Sequence, residues 1–148
     1  MDYVIRRATA DDTAAVAVLF NLYRIFYKQP SDITGAESFI SERLRCNDSA
    51  IFLVFRDDEP VGFTQLYPIF TSVGMQRTWL LNDLYVKEAA RRMGIGEALL
   101  ETAKQFAKNT NSKWLMLQTG LDNKTAQKLY EKNGWMREDD LFYTYRLK

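Results

Sequence analysis

Leu84-Tyr85-Val86-Lys87-Glu88-Ala89-Ala90-Arg91-Arg92-Met93-Gly94-Ile95-Gly96-Glu97-Ala98-Leu99-Leu100 reads as a strand, a short loop and the opening turns of a helix. Leu84, Tyr85 and Val86 close an apolar, β-prone run. Ile95, Leu99, Leu100, Ala103, Phe106 and Ala107 then recur at helical spacing. Gly94 and Gly96 carry no Cβ, so the backbone between these elements can turn sharply and a ligand can approach it closely. A helix that starts here turns unpaired N–H groups and the positive end of its dipole toward the loop. Such a loop suits an anion, and a diphosphate fits it well.

Two common diphosphate loops do not match. A nucleoside-triphosphate loop needs Lys-Ser or Lys-Thr after its second glycine, where this chain has Glu97-Ala98. A dinucleotide fingerprint needs a third glycine at position 99, which is Leu99. The pattern present is Arg91-x-x-Gly94-x-Gly96 behind a Leu84-x-Val86 strand. It resembles the acetyl-CoA-binding signature of the GNAT N-acetyltransferase superfamily. Downstream, Asn123-x-x-Ala126-x-x-Leu129-Tyr130-Glu131-x-x-Gly134-Trp135 resembles that family's second signature. The resemblance spans the chain and is specific from about Trp79 to Trp135. It implies a mixed α/β sheet of about seven strands with four flanking helices, folded as one domain over residues 1–148.

Composition narrows the function from another side. A chain of 148 residues suits one domain with one sizeable core. A net charge of +1 gives no global field for nucleic acid or a membrane surface, so neither is expected as a partner. Cys46 is the single cysteine, which excludes an internal disulfide and fits a reducing compartment. The chain has no histidine, so the commonest general base and metal ligand are both missing, and no metal is expected. There is no bilayer-length apolar run, and Met1-Asp2-Tyr3 begins no signal peptide, so the expected location is cytoplasmic.

From the start, Tyr3 to Arg7 reads as a strand, and Thr9 with Asp12 as a capping box. Val16, Leu19, Phe20, Tyr23 and Tyr27 form the stripe of a helix ending near Tyr27, before Pro30. Ser31 and Asp32 fall in a loop, and Ala36, Phe39, Ile40 and Leu44 mark a second helix to about Cys46. Ala50–Phe55 and Val61–Phe70 read as a hairpin across Asp57-Asp58-Glu59-Pro60. A loose connection over Thr71–Arg77 leads to a strand from Trp79 to Val86. Strict alternation there would put Trp79, Leu81, Asp83 and Tyr85 on one face, yet Asn82 and Asp83 are polar neighbours, so a β-bulge is expected. The helix after Gly96 runs to about Asn109, and Trp114–Gln118 follows as a strand parallel to the Trp79 strand. A short helix from Asn123 ends at Asn133-Gly134. Trp135–Arg137 and Leu141–Leu147 read as a final hairpin.

Acetyl transfer to an amine needs a held donor, a deprotonated amine and a protonated leaving thiolate. The resemblance assigns the diphosphate of acetyl-CoA to Arg91, Arg92, Met93, Gly94, Ile95 and Gly96, chiefly through backbone N–H groups. The backbone of Leu84, Tyr85 and Val86 would pair with the pantetheine arm like an added strand and polarise the thioester carbonyl. Asn123 would bond the cofactor from the other side. Tyr130 is the expected acid: a phenol titrating near ~10 can protonate a thiolate near ~8.5. The base is less defined. Leu81-Asn82-Asp83 resembles a Leu-Glu-Asp pattern of polyamine acetyltransferases, with Asp83 in register and Asn82 where those enzymes carry Glu. Asn82 cannot usefully accept a proton, so a water chain ending at Asp83 and a purely structural Asp83 both stand. Tyr27, Asp32, Asn82 and Asp83 are the candidate contacts to the acceptor amine, with Glu37 a further nearby acid. The candidate acceptors are polyamine-like amines, amino sugars and peptide amines. A catalytically silent acyl-CoA-binding module is the competing function, and a homodimer through the apolar C-terminal strand is left open.

Overall fold

The computed structural model describes residues 2–148, which pack as two compact units, one ending at Gln118 and the other Thr119–Lys148. The first unit holds β1 (Val4–Arg7), α1 (Thr13–Phe26), α2 (Ile33–Cys46), β2 (Ala50–Arg56), β3 (Glu59–Thr71), β4 (Gln76–Val86), α3 (Ile95–Asn109) and β5 (Leu115–Met116). The second holds α4 (Lys124–Lys132). The sheet order is β1-β2-β3-β4-β5, antiparallel except for the parallel β4–β5 pair, as the helical crossover through α3 requires.

The entry to α1 is built as the Thr9 and Asp12 pattern suggests. Thr9 N–H donates to Asp12 Oδ2 at 2.8 Å, and the same carboxylate takes both guanidinium nitrogens of Arg6, each at 2.8 Å. The Arg6 bonds, helped by the Thr9 N–H, hold the Asp12 carboxyl down at about 2. Asp12→Ala should therefore lower stability by about 1–3 kcal/mol at neutral pH. Because the folded value lies below the unfolded one near ~3.9, that contribution is full above about pH 4 and fades as pH falls toward 2. Urea unfolding of parent and variant at pH 7 and pH 3 checks it: the gap should narrow at the lower pH.

The β2–β3 turn is tight, with Asp57 and Asp58 both at positive φ (52° and 63°), as a two-residue hairpin that follows the strand twist demands. The connection between β3 and β4 is tighter than expected. The ladder continues to Thr71↔Gln76, leaving only Ser72–Met75 as the turn.

β4 carries the expected bulge. Gln65 pairs with Asp83 and Leu66 with Leu81, so Asn82 is the extra residue. The bulge overturns the strict alternation: Trp79 lies 4.9 Å from Phe106 of α3, ring centre to ring centre, whereas Tyr85 lies against Tyr23 of α1. One strand thus serves two helix layers. On the α1 and α2 side, Val16, Leu19 and Ile40 pack with Ile51, Leu53 and Phe63. On the other, Phe106 of α3 packs on Phe52 and Trp79.

In the second unit, Asn123 caps α4 and the helix closes at Asn133 and Gly134 (φ 90°). The final hairpin does not form. Trp135–Arg137 and Leu141–Leu147 make no strand, so the described residues hold five strands rather than about seven. Alternating Leu141, Tyr143, Tyr145 and Leu147 have strand propensity, but propensity is realised only through cross-strand packing, and an isolated hairpin is marginal.

Candidate active site

β5 pairs with β4 only at Trp79 and Leu80, so β4 has an unpaired edge from Leu81 to Val86. Which groups line that edge follows from the ladder. Lys87 N–H donates to Val61 O at 2.8 Å toward β3. Residues of an antiparallel strand direct both backbone groups to alternate sides, so Val86 and Leu84 present theirs to the open edge. This is a strip of main-chain donors and acceptors suited to an extended amide-bearing chain.

The strip runs into the glycine loop. Arg92 and Gly94 both have positive φ (66° and 79°), which curls the backbone before α3. Ala98 N–H makes the first helical bond, to Gly94 O at 3.0 Å. The N–H groups of Ile95 and Gly96 precede it and have no acceptor within the helix. The left-handed turn belongs to Gly94, with Gly96 already helical, so the two glycines have different reasons to be there. An open strand edge leading to a helix N-terminus fits a cofactor with a pantetheine arm and a diphosphate.

Of the two loop arginines, Arg91 is engaged by its own strand. Arg91 folds back, its Nε donating to Val86 O at 2.8 Å and its guanidinium 5.7 Å from both the Phe26 and Tyr85 rings. Beneath the loop, Arg56 Nη1 contacts Met93 Sδ at 3.5 Å.

The acceptor-side candidates divide. Tyr27 is exposed at the end of α1, its ring 5.0 Å from Tyr23 and 5.3 Å from Phe26. Asp32 is the N-cap of α2, its Oδ1 accepting from Gly35 N–H at 2.9 Å, so its carboxylate has a local structural task. Asn82 is exposed on the bulge. Asp83 is only 2% exposed, with both oxygens held by amide donors from Gln65 and Asn82. Burial pushes its carboxyl above the usual range, against the opposing effect of its hydrogen bonds from Gln65 and Asn82 and of the nearby Tyr23 hydroxyl. A carboxylate enclosed in this way is poorly placed to take a proton directly from an amine. The arrangement favours the structural alternative for Asp83.

Gln65 and Ser49 were not singled out from the sequence, and Tyr23 was read there as part of the apolar stripe of α1. Tyr23 OH donates to Asn82 O, the carbonyl at the bulge, at 3.2 Å. Burial, with the Asp83 charge second, raises its phenol far above the ordinary value, so it remains a donor. Gln65 was legible in one respect, as a polar residue inside the apolar Val61–Phe70 run. In the second unit, Asn123 Oδ1 accepts from Ala126 N–H at 3.3 Å as the cap of α4. Tyr130 is half-buried on that helix, its ring 6.2 Å from Trp135.

The sequence profile of the family described as Acetyltransferase (GNAT) family matches residues 16–135. The uncharacterized N-acetyltransferase YhfO of Bacillus subtilis (strain 168) is 48% identical over 143 residues, covering 97% of this chain and 95% of that protein. A crystal structure of a probable acetyltransferase superposes with a TM-score of 0.89 at 41% identity, covering 98% of this chain and 97% of the other. At 19% identity, an aminoglycoside acetyltransferase from an uncultured soil metagenomic sample shares the fold, with a TM-score of 0.88 over 99% of this chain and 97% of its own.

Proposed function

The chain belongs to the GNAT family of N-acetyltransferases, whose members use acetyl-CoA, and on that premise we propose that it passes the acetyl group directly to a primary amine. The observation that carries this reading is the open edge of β4 at Leu84 and Val86 leading into the N–H groups of Ile95 and Gly96. The cosubstrate brings an activated thioester. The chain's part is to hold and polarise it, admit the amine and return a proton to the departing sulfur.

In this reading, Leu84 and Val86 present N–H groups along the arm, one of which polarises the thioester oxygen. Binding also releases Arg91 from Val86 O, leaving its guanidinium available to the diphosphate. The amine loses its proton to water, its lone pair attacks the thioester carbon, and the C–S bond breaks. The thiolate takes a proton from Tyr130 OH, and the second proton, shed by the nitrogen as the amide forms, returns through water to the phenolate. The acceptor enters past Tyr27 and Asn82. It is a small polyamine-like or amino-sugar amine, or an amine on a peptide. Residues 1–148 are read as one catalytic domain.

Steady release of free thiol from acetyl-CoA, measured across a panel of such amines, tests the reading. Turnover that depends on one amine class supports it and names the acceptor. Acetyl-CoA binding with no amine-dependent thiol release would leave a binding module in its place.

A further inference from the structure

Under α1 and α2 a row of polar groups crosses the sheet where apolar contacts would be expected. Ser49 is 6% exposed, Gln65 fully buried and Asp83 2% exposed, with no cation among their hydrogen-bond partners. Ser49 Oγ donates to Gln65 Oε1 at 2.9 Å. The other end of that amide, Nε2, donates to Asp83 Oδ2 at 2.5 Å. Asp83 Oδ1 in turn accepts from Asn82 Nδ2 at 2.8 Å.

Each link has a direction. A carboxamide has one accepting end and one donating end, and each Asp83 oxygen here accepts from an amide nitrogen. Fixing Ser49 on Oε1 aims the Gln65 nitrogen at Asp83, and Asp83 compels Asn82 to turn its nitrogen inward. Asn82 Oδ1 must then face away from the buried row. The Asn82 backbone is held as well, because Tyr23 OH takes its carbonyl oxygen at 3.2 Å. The row ends at an exposed residue on the bulge, beside the open strand edge of Leu84 and Val86.

Stability alone does not account for such a row. Burying a carboxyl without a cation and an amide in place of an apolar chain costs desolvation that hydrogen bonds at best offset. We propose that Asn82 Oδ1 receives the acceptor amine, and that Ser49, Gln65 and Asp83 are positioning residues that keep this oxygen turned outward. This deepens the acetyl-transfer reading and rests on it. An amide oxygen is well chosen for the task. It accepts an N–H from both the ammonium and the neutral amine, so contact survives deprotonation. A carboxylate there would favour the charged, unreactive form more strongly.

The test is a double-mutant cycle read in the amine KM, with the best amine of the panel as probe. Gln65→Met keeps the length of the side chain and removes the link, and should raise the amine KM about tenfold, with kcat and acetyl-CoA affinity within about twofold. Ser49→Ala, a milder change, should raise it about two- to threefold. In an Asn82→Ala background neither substitution should change KM further, because the group they position is gone. Near-UV circular dichroism checks folding; if Gln65→Met does not fold, the Ser49→Ala pair decides. An effect of equal size in both backgrounds, or none in the parent, overturns the assignment while parent turnover upholds acetyl transfer. A parent that turns over no amine overturns both.

Discussion

Tyr130→Phe is expected to lower kcat by about a hundredfold to ten-thousandfold, the usual range for removing a general acid. The substitution keeps the ring that stands 6.2 Å from Trp135. It also keeps the Tyr130 carbonyl, which accepts from the Asn133 and Trp135 N–H groups at 3.0 Å each and so closes α4. What is lost is the hydroxyl, and with it the proton for the departing sulfur. Since that proton matters only as the C–S bond breaks, the affinity for acetyl-CoA should stay within about twofold. Thioesters of more acidic thiols leave without help, so the deficit should shrink for them. A melting temperature near that of the parent excludes a folding defect. Wild-type turnover by Tyr130→Phe with acetyl-CoA would falsify the assignment and leave the thiolate to solvent.

The second large effect is expected at Gly96. Gly94 holds the left-handed turn, at φ 79°, and any substitution there confounds folding with binding. Gly96 is the second residue of α3, where an ordinary side chain meets no backbone penalty. Gly96→Val should leave the thermal transition within a few degrees of the parent, since a β-branched residue in a helix is at least as favourable as glycine. It also places two methyl groups beside the N–H groups of Ile95 and Gly96. Charge-assisted hydrogen bonds of this kind contribute about 1.5–3 kcal/mol each. Displacing the diphosphate should therefore weaken acetyl-CoA by about tenfold to more than a hundredfold. Calorimetry giving parental affinity in a folded Gly96→Val protein removes the loop as the diphosphate site.

Much of this site was legible because local chemistry fixed it. Thr9 and Asp12, Asn123, and the Asn133-Gly134 stop are short-range signals, and each sits where its hydrogen bonds require. The bulge was legible too, since two polar neighbours in an apolar strand cannot both be accommodated by alternation. What was not legible depends on partners distant in sequence. The link between Ser49 and Gln65, and that between Tyr23 and Asn82, join residues that only the sheet register and the α1 packing bring together. The same limit explains Asp83: a carboxylate looks available in sequence, and only packing shows it enclosed. The C-terminal hairpin failed in the opposite way, because alternation signals willingness to pair without supplying a partner.

The unpaired residue in β4 also governs where this chain can change length. With Asn82 present, Trp79 meets α3 and Tyr85 meets α1. Deleting Asn82 would make Leu81 and Asp83 adjacent on opposite faces of a regular ladder, so Trp79 and Tyr85 would keep their helix layers and the outward-turned residue alone would be lost. The extra residue therefore costs the fold no change of face, and it places one polar side chain beside the open strand edge. Relatives that keep this outward residue should hold seven residues from Trp79 to Tyr85 and vary in length at outer turns such as Ser72–Met75.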